Sequence, residues 1–217
     1  MKAIGIDLGT THCALAASPV GRAAVKLYDL PQLVAPGEVA AQPLLPSLLY
    51  LPTHGELPEG STQLPWGTAD HVVGELAGRL GAKVPHRLVA SAKSWICHGG
   101  INRRAPVLPW NAPENEPQIS PYGASVQYLA HLKSIWDAAH PSAPLAQQEV
   151  TITVPASFDE AARELTIDAA KEADVSPEII AAGEAKLQEM KTKDDKTKVA
   201  AAERELRAAM PSLMNLF

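Results

Sequence analysis

Residues 1–16 read MKAIGIDLGTTHCALA, and their pattern decides the fold class. Ile4 and Ile6 alternate with smaller neighbours, which is typical of a strand with one buried face. A second apolar run, Cys13–Ala17, follows after a few residues, so we expect the two strands to pair as an antiparallel hairpin. Gly9 lies in the connection, where a glycine can adopt the positive φ that a tight turn needs.

The connection carries groups that suit a phosphate. Successive backbone N–H groups in such a turn can hold an anion, and Thr10 and Thr11 add two hydroxyl donors. Asp7 places a carboxylate beside the anion, where it can act through Mg²⁺. A Gly-Thr-Thr turn is more often only a turn, and the stretch is neither a Walker loop nor a Rossmann fingerprint. The sequence predicts a phosphate-binding hairpin, which the rest of the chain must support.

Composition restricts the possible classes. The 217 residues, 46% hydrophobic and 20% charged, suit a globular protein of one large or two small domains. The net charge of −5 argues against nucleic-acid binding. No long apolar segment follows Met1, and Cys13 and Cys97 make no disulfide framework, so we expect a cytoplasmic protein without membrane insertion.

Apolar spacing, together with proline and glycine, predicts further elements up to residue 121. We expect a strand ended by Pro31, a strand that contains Pro46 and so either lies at a sheet edge or begins at Ser47, a surface loop, two helical segments and an irregular proline-rich loop. Their respective ranges are Val25–Leu30, Leu44–Leu51, Leu57–Pro65, Asp70–Leu80, Pro85–Ile96 and Gly99–Pro121. Lys93 falls off the apolar face of the second helical segment, which predicts an exposed lysine.

The following segment predicts two helices and a strand. Ser120-Pro121 supplies an N-cap and a first-turn proline for a long helix. Its apolar stripe is Tyr122, Val126, Leu129, Leu132, Trp136 and Ala139. Glu149–Val154 alternates as a strand, and Ser157 with Glu160 matches a capping box for another helix. Alternating strands and helices indicate an α/β fold.

Several separated stretches together resemble DnaK-type heat-shock chaperones of the Hsp70 family, which belong to the actin-like ATPase superfamily. The resemblance covers Met1 to about Asp174. Its motifs are Ile4-Gly5-Ile6-Asp7-Leu8-Gly9-Thr10-Thr11, Leu45-Pro46-Ser47-Leu48, Val73-Gly74-Glu75-Leu76-Ala77, Ser91-Ala92-Lys93-Ser94-Trp95 and Thr153-Val154-Pro155-Ala156-Ser157-Phe158 with Arg163. The replacement of an arginine-rich continuation by Ser94–His98 resembles divergent bacterial members.

The resemblance implies an ATP and Mg²⁺ site on the first hairpin. It implies that Asp7 lies beside the Mg²⁺-bound nucleotide and contacts the Mg²⁺ through water, and that Gly9, Thr10 and Thr11 contact the phosphates. Lys93 would approach the γ-phosphate as a catalytic lysine, where an ammonium offsets charge that develops in phosphoryl transfer.

The resemblance also implies a domain organisation. Residues 1–174 would form the N-terminal lobe of an actin-like (ribonuclease H-like) nucleotide-binding domain, with a peripheral subdomain over about residues 36–117. Residues 175–217 do not match the family, and their Ser176-Pro177 start predicts a helical tail over about Glu178–Ala209. The second phosphate loop, the adenosine motif and the second lobe are not in the sequence.

Two functions remain open. The chain is either a truncated DnaK-type ATPase lobe that binds Mg-ATP weakly, without turnover alone, or a non-catalytic scaffold. The scaffold would bind a second polypeptide through its helical tail or open lobe face. His98 and His131 have no partner at metal-ligand spacing, so we expect two surface histidines.

Overall fold

The computed structural model describes residues 1–20, 25–154 and 158–175. The strands in these ranges are β1 (Lys2–Leu8), β2 (His12–Pro19), β3 (Lys26–Leu27), β4 (Leu30–Ala35), β5 (Glu38–Gln42), β6 (Leu45–Pro46), β7 (Leu48–Tyr50), β8 (Gln63–Leu64), β9 (Gly67–Thr68), β10 (Val72–Val73), β11 (Leu88–Ala90) and β12 (Glu149–Thr153). The helices are α1 (Glu75–Gly81), α2 (Ala92–Ile96), α3 (Pro121–Ala139) and α4 (Glu160–Glu172).

The main sheet is mixed and is built on β1. Its order is β12-β1-β2-β3, and β6 also pairs with β2. β1 and β2 form the predicted antiparallel hairpin, with Leu8 opposite Cys13. β12 runs parallel to β1 and places Val150 opposite Ile4. The prediction that Glu149–Val154 shares a sheet with the first strand is therefore confirmed, and the protein is a mixed α/β structure.

Helix α3 packs on the sheet and completes the larger core. The hydroxyl of Ser120 accepts a hydrogen bond of 2.8 Å from the Gly123 N–H, which confirms the predicted N-cap. The predicted stripe is buried except for Ala139, which is exposed at the last turn. The shared core contains Ile4, Ile6, Leu15, Leu129, Leu132, Trp136 and Val150.

A second, smaller core surrounds β7, which lies between β10 and β11. Its buried members are Leu33, Tyr50, Leu64, Val72, Leu76 and Ala77. Much of this core falls within the segment predicted as a peripheral subdomain. The subdomain limits at residues 36 and 117, and the lobe boundary at about residue 174, stay predictions.

Two predicted helices begin later than the spacing suggested. Val72 and Val73 form strand β10 opposite Tyr50 and Leu49, so α1 begins only at Glu75. Gly74 separates strand from helix with φ +90°, and a Cβ there would meet the Gln32 side chain at 2.4 Å. The second predicted segment does open at Pro85, but with a 3₁₀ turn over Pro85–Arg87 only; Leu88 then lies in β11, and α-helix forms only in α2. The apolar residues in both cases complete a sheet rather than a helix face.

Two predicted strands are divided in the structure. The predicted Val25–Leu30 strand is split between β3 and β4, and Pro31 lies inside β4. Its missing N–H is tolerated because, within the described ranges, β4 belongs to a two-stranded sheet with β5 and has one free edge. The predicted Leu44–Leu51 strand breaks at Ser47, so β6 joins the main sheet and β7 the second one.

Two other expectations need correction. The predicted surface loop Leu57–Pro65 contains β8, whose Leu64 is buried. The N-cap of α4 is Asp159, whose carboxylate accepts a hydrogen bond of 2.7 Å from the Ala162 N–H. Asp159 therefore takes the capping role predicted for Ser157, which lies outside the described residues.

The described residues belong to one compact unit, Met1–Ile180. The predicted helical tail, Glu178–Ala209, lies outside the described residues. Within the described ranges, no helix is long and apolar enough to cross a membrane.

Candidate functional site

The turn between β1 and β2 consists of Gly9, Thr10 and Thr11, and both threonines are exposed. Gly9 does not adopt the positive φ predicted for it. Its need for glycine has another cause, because a Cβ at this position would lie 2.0 Å from the main-chain oxygen of His12. The turn is thus closed by backbone contact, which only a residue without a side chain permits.

Ser47 holds this turn from the protein interior. The serine is buried, and its hydroxyl donates a hydrogen bond of 2.8 Å to the Gly9 carbonyl. Its main-chain N–H donates, also over 2.8 Å, to the Thr11 carbonyl. The Gly9 and Thr11 carbonyls therefore point inward toward Ser47.

The inward carbonyls determine what the outer side of the turn offers. In a planar trans peptide the N–H points opposite to the carbonyl, so the Thr10 N–H is directed away from Ser47. The hydroxyls of Thr10 and Thr11 belong to exposed side chains. The outer side consequently presents the Thr10 N–H, and the two exposed hydroxyls can add donors of the kind that an anion requires.

Asp7 lies at the end of β1, opposite Thr153 of β12. The Thr153 hydroxyl donates a hydrogen bond of 2.7 Å to Oδ1 of Asp7. The aspartate is exposed, and this bond orients its carboxylate beside the turn. An oriented, accessible carboxylate is a suitable ligand for Mg²⁺, directly or through water.

Lys93 lies at the base of the hairpin and not on the surface. Lys93 as a whole is only 8% exposed to solvent. The ammonium donates a hydrogen bond to the Leu8 carbonyl and lies 5.6 Å from the centroid of the Phe158 ring. Burial lowers the pKa of Lys93, and the Asp7 carboxylate partly offsets that effect. The prediction that Lys93 is exposed is wrong, because α2 directs this side chain toward the protein interior.

The structure thus brings the sequence-predicted residues together around one hairpin. Five consecutive residues of the hairpin contain Asp7, Gly9, Thr10 and Thr11. The ammonium of Lys93 donates to the carbonyl of Leu8, which lies between Asp7 and Gly9. Sequence reasoning missed the supporting side chains, which are Ser47, Thr153, Cys13 and Tyr128. The Pro-Ser break in an apolar run was the one signal that could have indicated Ser47.

The two histidines considered for metal binding differ. His98 is exposed, whereas His131 is buried, against the prediction, and its Nε2 lies 3.2 Å from the Pro31 carbonyl. Burial lowers the pKa of His131 to about 4. Among the residues that the structure describes, no group of three or more His, Cys, Asp or Glu side chains could hold a metal ion.

An α/β fold whose first hairpin presents hydroxyls and a carboxylate agrees with the class that the DnaK resemblance indicates. Sequence comparison confirms the relationship: the curated relatives are HscA chaperones, which are Hsp70-family proteins. The HscA homologue of Histophilus somni is 31% identical over 189 residues, which cover 78% of this chain and 25% of that protein. HscA of Pectobacterium carotovorum is 30% identical over 181 residues, 78% of this chain and 25% of its own length.

A third relative, the HscA homologue of Pasteurella multocida, is 28% identical over 186 residues. That match covers 80% of this chain and 26% of the relative. The chain is therefore homologous to Hsp70-type chaperones and spans about a quarter of the length of the curated relatives it matches. No protein-family model matches the sequence.

Proposed function

We propose that residues 1–174 form the N-terminal lobe of an actin-like, Hsp70-type nucleotide-binding domain, and that its first hairpin binds the phosphates of Mg-ATP. The observation that carries this proposal is the direction of the turn's carbonyls. Gly9 and Thr11 point theirs at Ser47, which leaves donors on the outer side. The homology to HscA chaperones supports the same assignment.

The proposed roles follow from the chemistry of the donor set. The hydroxyls of Thr10 and Thr11, with the Thr10 N–H, donate to phosphate oxygens. Asp7 holds Mg²⁺ through water, and the ion when bound supplies positive charge that neutralises the phosphates. These groups fit a metal-bound phosphate because the turn carries the donors and Asp7 carries a carboxylate two residues before Gly9, near the end of β1.

Lys93 has a conditional role in this proposal. Its ammonium donates to the Leu8 carbonyl, so the side chain must leave that carbonyl before it can reach a phosphate. A released ammonium at the base of the turn would offset charge that develops on a transferring phosphoryl group. We assign Lys93 as the catalytic lysine on this basis, together with Asp7.

We propose weak binding without measurable turnover for the 217-residue polypeptide alone. The groups described here contact a nucleotide from one side only, and the polypeptide carries neither a second phosphate loop nor a matching water-positioning glutamate. Phosphoryl transfer relies on positioning and electrostatic stabilisation. A dissociation constant on the order of 1 mM corresponds to about −4 kcal/mol.

The partners in this proposal are a nucleotide and a second polypeptide. The relatives carry the name chaperone, and a chaperone acts on polypeptides. We propose that a second chain meets the open side of the nucleotide site or the segment after residue 175. A cytoplasmic location remains part of the proposal.

A calorimetric titration with Mg-ATP tests the proposed function. Asp7→Asn keeps an oxygen that can accept from Thr153 but removes the charge, so the variant should lose the Mg²⁺-dependent part of the affinity. Asp29→Asn is the matched control, because Asp29 is also exposed but does not lie on the turn. Equal affinities for the wild type and Asp7→Asn, or no binding by the wild type, would contradict the proposal.

A phosphate-release assay on the same samples tests the catalytic part. We expect no release above the blank from the wild type. Release that disappears in Lys93→Ala would show that this polypeptide turns over by itself and that the one-sided site is sufficient.

A further inference from the structure

We propose that Ser47 is a positioning residue that fixes the Gly9-Thr10-Thr11 turn in its anion-accepting form before any ligand binds. The identity of the anion rests on the proposed function. The orientation of the turn rests only on contacts in the structure. Ser47 touches no ligand position itself, because it lies on the inner side of the turn.

Each polar group of Ser47 has a partner. The hydroxyl donates to Gly9, and the main-chain N–H donates to Thr11, as described above. The Ser47 carbonyl accepts a hydrogen bond of 3.0 Å from the hydroxyl of Tyr128. Tyr128 is a buried residue of α3. Ser47 therefore connects the turn to the longest helix among the described residues.

The Gly9 carbonyl fixes the direction of the serine hydroxyl, and Cys13 supplies the hydrogen bond that the hydroxyl accepts. The Cys13 Sγ lies 3.4 Å from the Ser47 Oγ. A carbonyl can only accept, so the single hydroxyl proton of Ser47 goes to Gly9 and the thiol must donate to Ser47. Burial raises the pKa of Cys13 to about 11, which keeps the thiol protonated as this arrangement needs. The chain of donors runs from Cys13 through Ser47 to Gly9.

Loss of the hydroxyl has a specific consequence. Ser47→Ala keeps the backbone bonds to Thr11 and Tyr128 but removes the partner of the Gly9 carbonyl. That carbonyl can then rotate outward and accept a hydrogen bond from water. An outward carbonyl brings an acceptor to the side where a phosphate would bind and turns the Thr10 N–H inward. The variant would be folded, but its turn would present an acceptor where an anion requires a donor.

The test compares full-length Ser47→Ala with Ser125→Ala. Ser125 is also buried, and its hydroxyl donates a hydrogen bond of 3.1 Å to the Pro121 carbonyl within α3. Ser125→Ala therefore controls for the removal of a buried hydroxyl. Without nucleotide, Ser47→Ala should shift the Gly9 carbonyl ¹³C resonance. It should also slow amide exchange at Thr10, because that N–H turns away from solvent, while exchange at Ile6 stays the same. Ser125→Ala should do neither.

A second variant covers the case in which Ser47→Ala does not fold. Tyr128→Phe removes only the bond to the Ser47 carbonyl, and we expect smaller changes of the same kind at Gly9 and Thr10. If the wild type binds Mg-ATP, Ser47→Ala should weaken it about fivefold, as the loss of one hydrogen bond suggests. Ser125→Ala should keep the wild-type affinity.

The outcomes separate the two proposals. A wild type that binds no Mg-ATP would overturn the proposed function, while the Gly9 and Thr10 signals would still decide the role of Ser47. Signals at Gly9 and Thr10 that match those of Ser125→Ala would overturn the positioning role. Faster exchange at Thr10 and Ile6 alike would also overturn it, because that pattern indicates general loosening.

Discussion

The ammonium of Lys93 donates a hydrogen bond to the main-chain carbonyl of Leu8, the last residue of β1 before the turn. This bond joins the short helix α2 to the central strand of the main sheet. The same ammonium lies over the Phe158 ring, so the lysine is both a polar partner and a packing residue. Its contacts explain why a lysine is tolerated in a buried position.

The packing role of Lys93 predicts a difference between two substitutions. Lys93→Met keeps the aliphatic stem against Phe158, whereas Lys93→Ala leaves a cavity. We expect Lys93→Ala to lower the free energy of unfolding by about 2 kcal/mol more than Lys93→Met. Urea denaturation of the two variants measures this difference. Equal midpoints and slopes would contradict the buried placement of the side chain.

The turn predicts a sharp contrast between two glycines of the first hairpin. Gly9→Ala places a Cβ 2.0 Å from the His12 oxygen, whereas a Cβ at Gly5 has nothing within 4 Å. We expect Gly9→Ala to lower the free energy of unfolding by at least about 2 kcal/mol, because backbone must move. Gly5→Ala should be neutral or stabilise by up to about 1 kcal/mol. Thermal denaturation compares them, and similar midpoints would contradict the turn geometry.

Local sequence patterns were sufficient to predict those elements whose signal lies entirely within their own residues. The alternation around Ile4 and in Glu149–Val154, and the Ser120-Pro121 start of α3, each carry their own signal, so these predictions are confirmed. The Val72-Val73 pair fits a helix stripe equally well. Its strand depends on β7, which lies more than twenty residues earlier in the sequence, and no local pattern contains that pairing.

The candidate site divides in the same way. The residues of the turn are contiguous, so sequence alone could propose them. The inward direction of Lys93 and the support from Ser47 depend on contacts between distant segments. The absence of a second ligand at metal-ligand spacing predicts a surface position for His131. The structure buries it under Trp66, whose ring centroid lies 5.3 Å away.

Burial of His131 predicts a stability that depends on pH. Its pKa is lowered to about 4 from an ordinary value of 6.5, so between these values the unfolded chain binds a proton that the folded chain does not. Stability from this residue is therefore present above pH 6.5 and is lost as the pH falls toward 4. The slope should reach about 1.4 kcal/mol per pH unit.

Denaturation of His131→Gln over that pH range measures the contribution. The variant should show a shallower dependence than the wild type, because it lacks the group that gains a proton on unfolding. An unchanged slope in His131→Gln would mean that this histidine is accessible to protons in the folded state.

The two cysteines should differ in reactivity. Cys13 is buried and its pKa is raised to about 11, so almost no thiolate exists at pH 8. Cys97 is half-buried. We expect iodoacetamide to modify Cys97 faster in the native protein, and both equally in urea, as mass spectrometry of the peptides would show. Comparable native rates would contradict the donor chain from Cys13 to Ser47.

An ¹H–¹⁵N NMR titration with Mg-ATP tests whether the outer side of the first turn binds the phosphates of a magnesium nucleotide. We expect shifts of the Thr10 and Thr11 amides that require Mg²⁺ and saturate on the order of 1 mM. Asp7→Asn should abolish them, and Asp29→Asn should leave them intact. Unshifted Thr10 and Thr11 amides at saturating Mg-ATP, or shifts that are the same in Asp7→Asn, would contradict this binding.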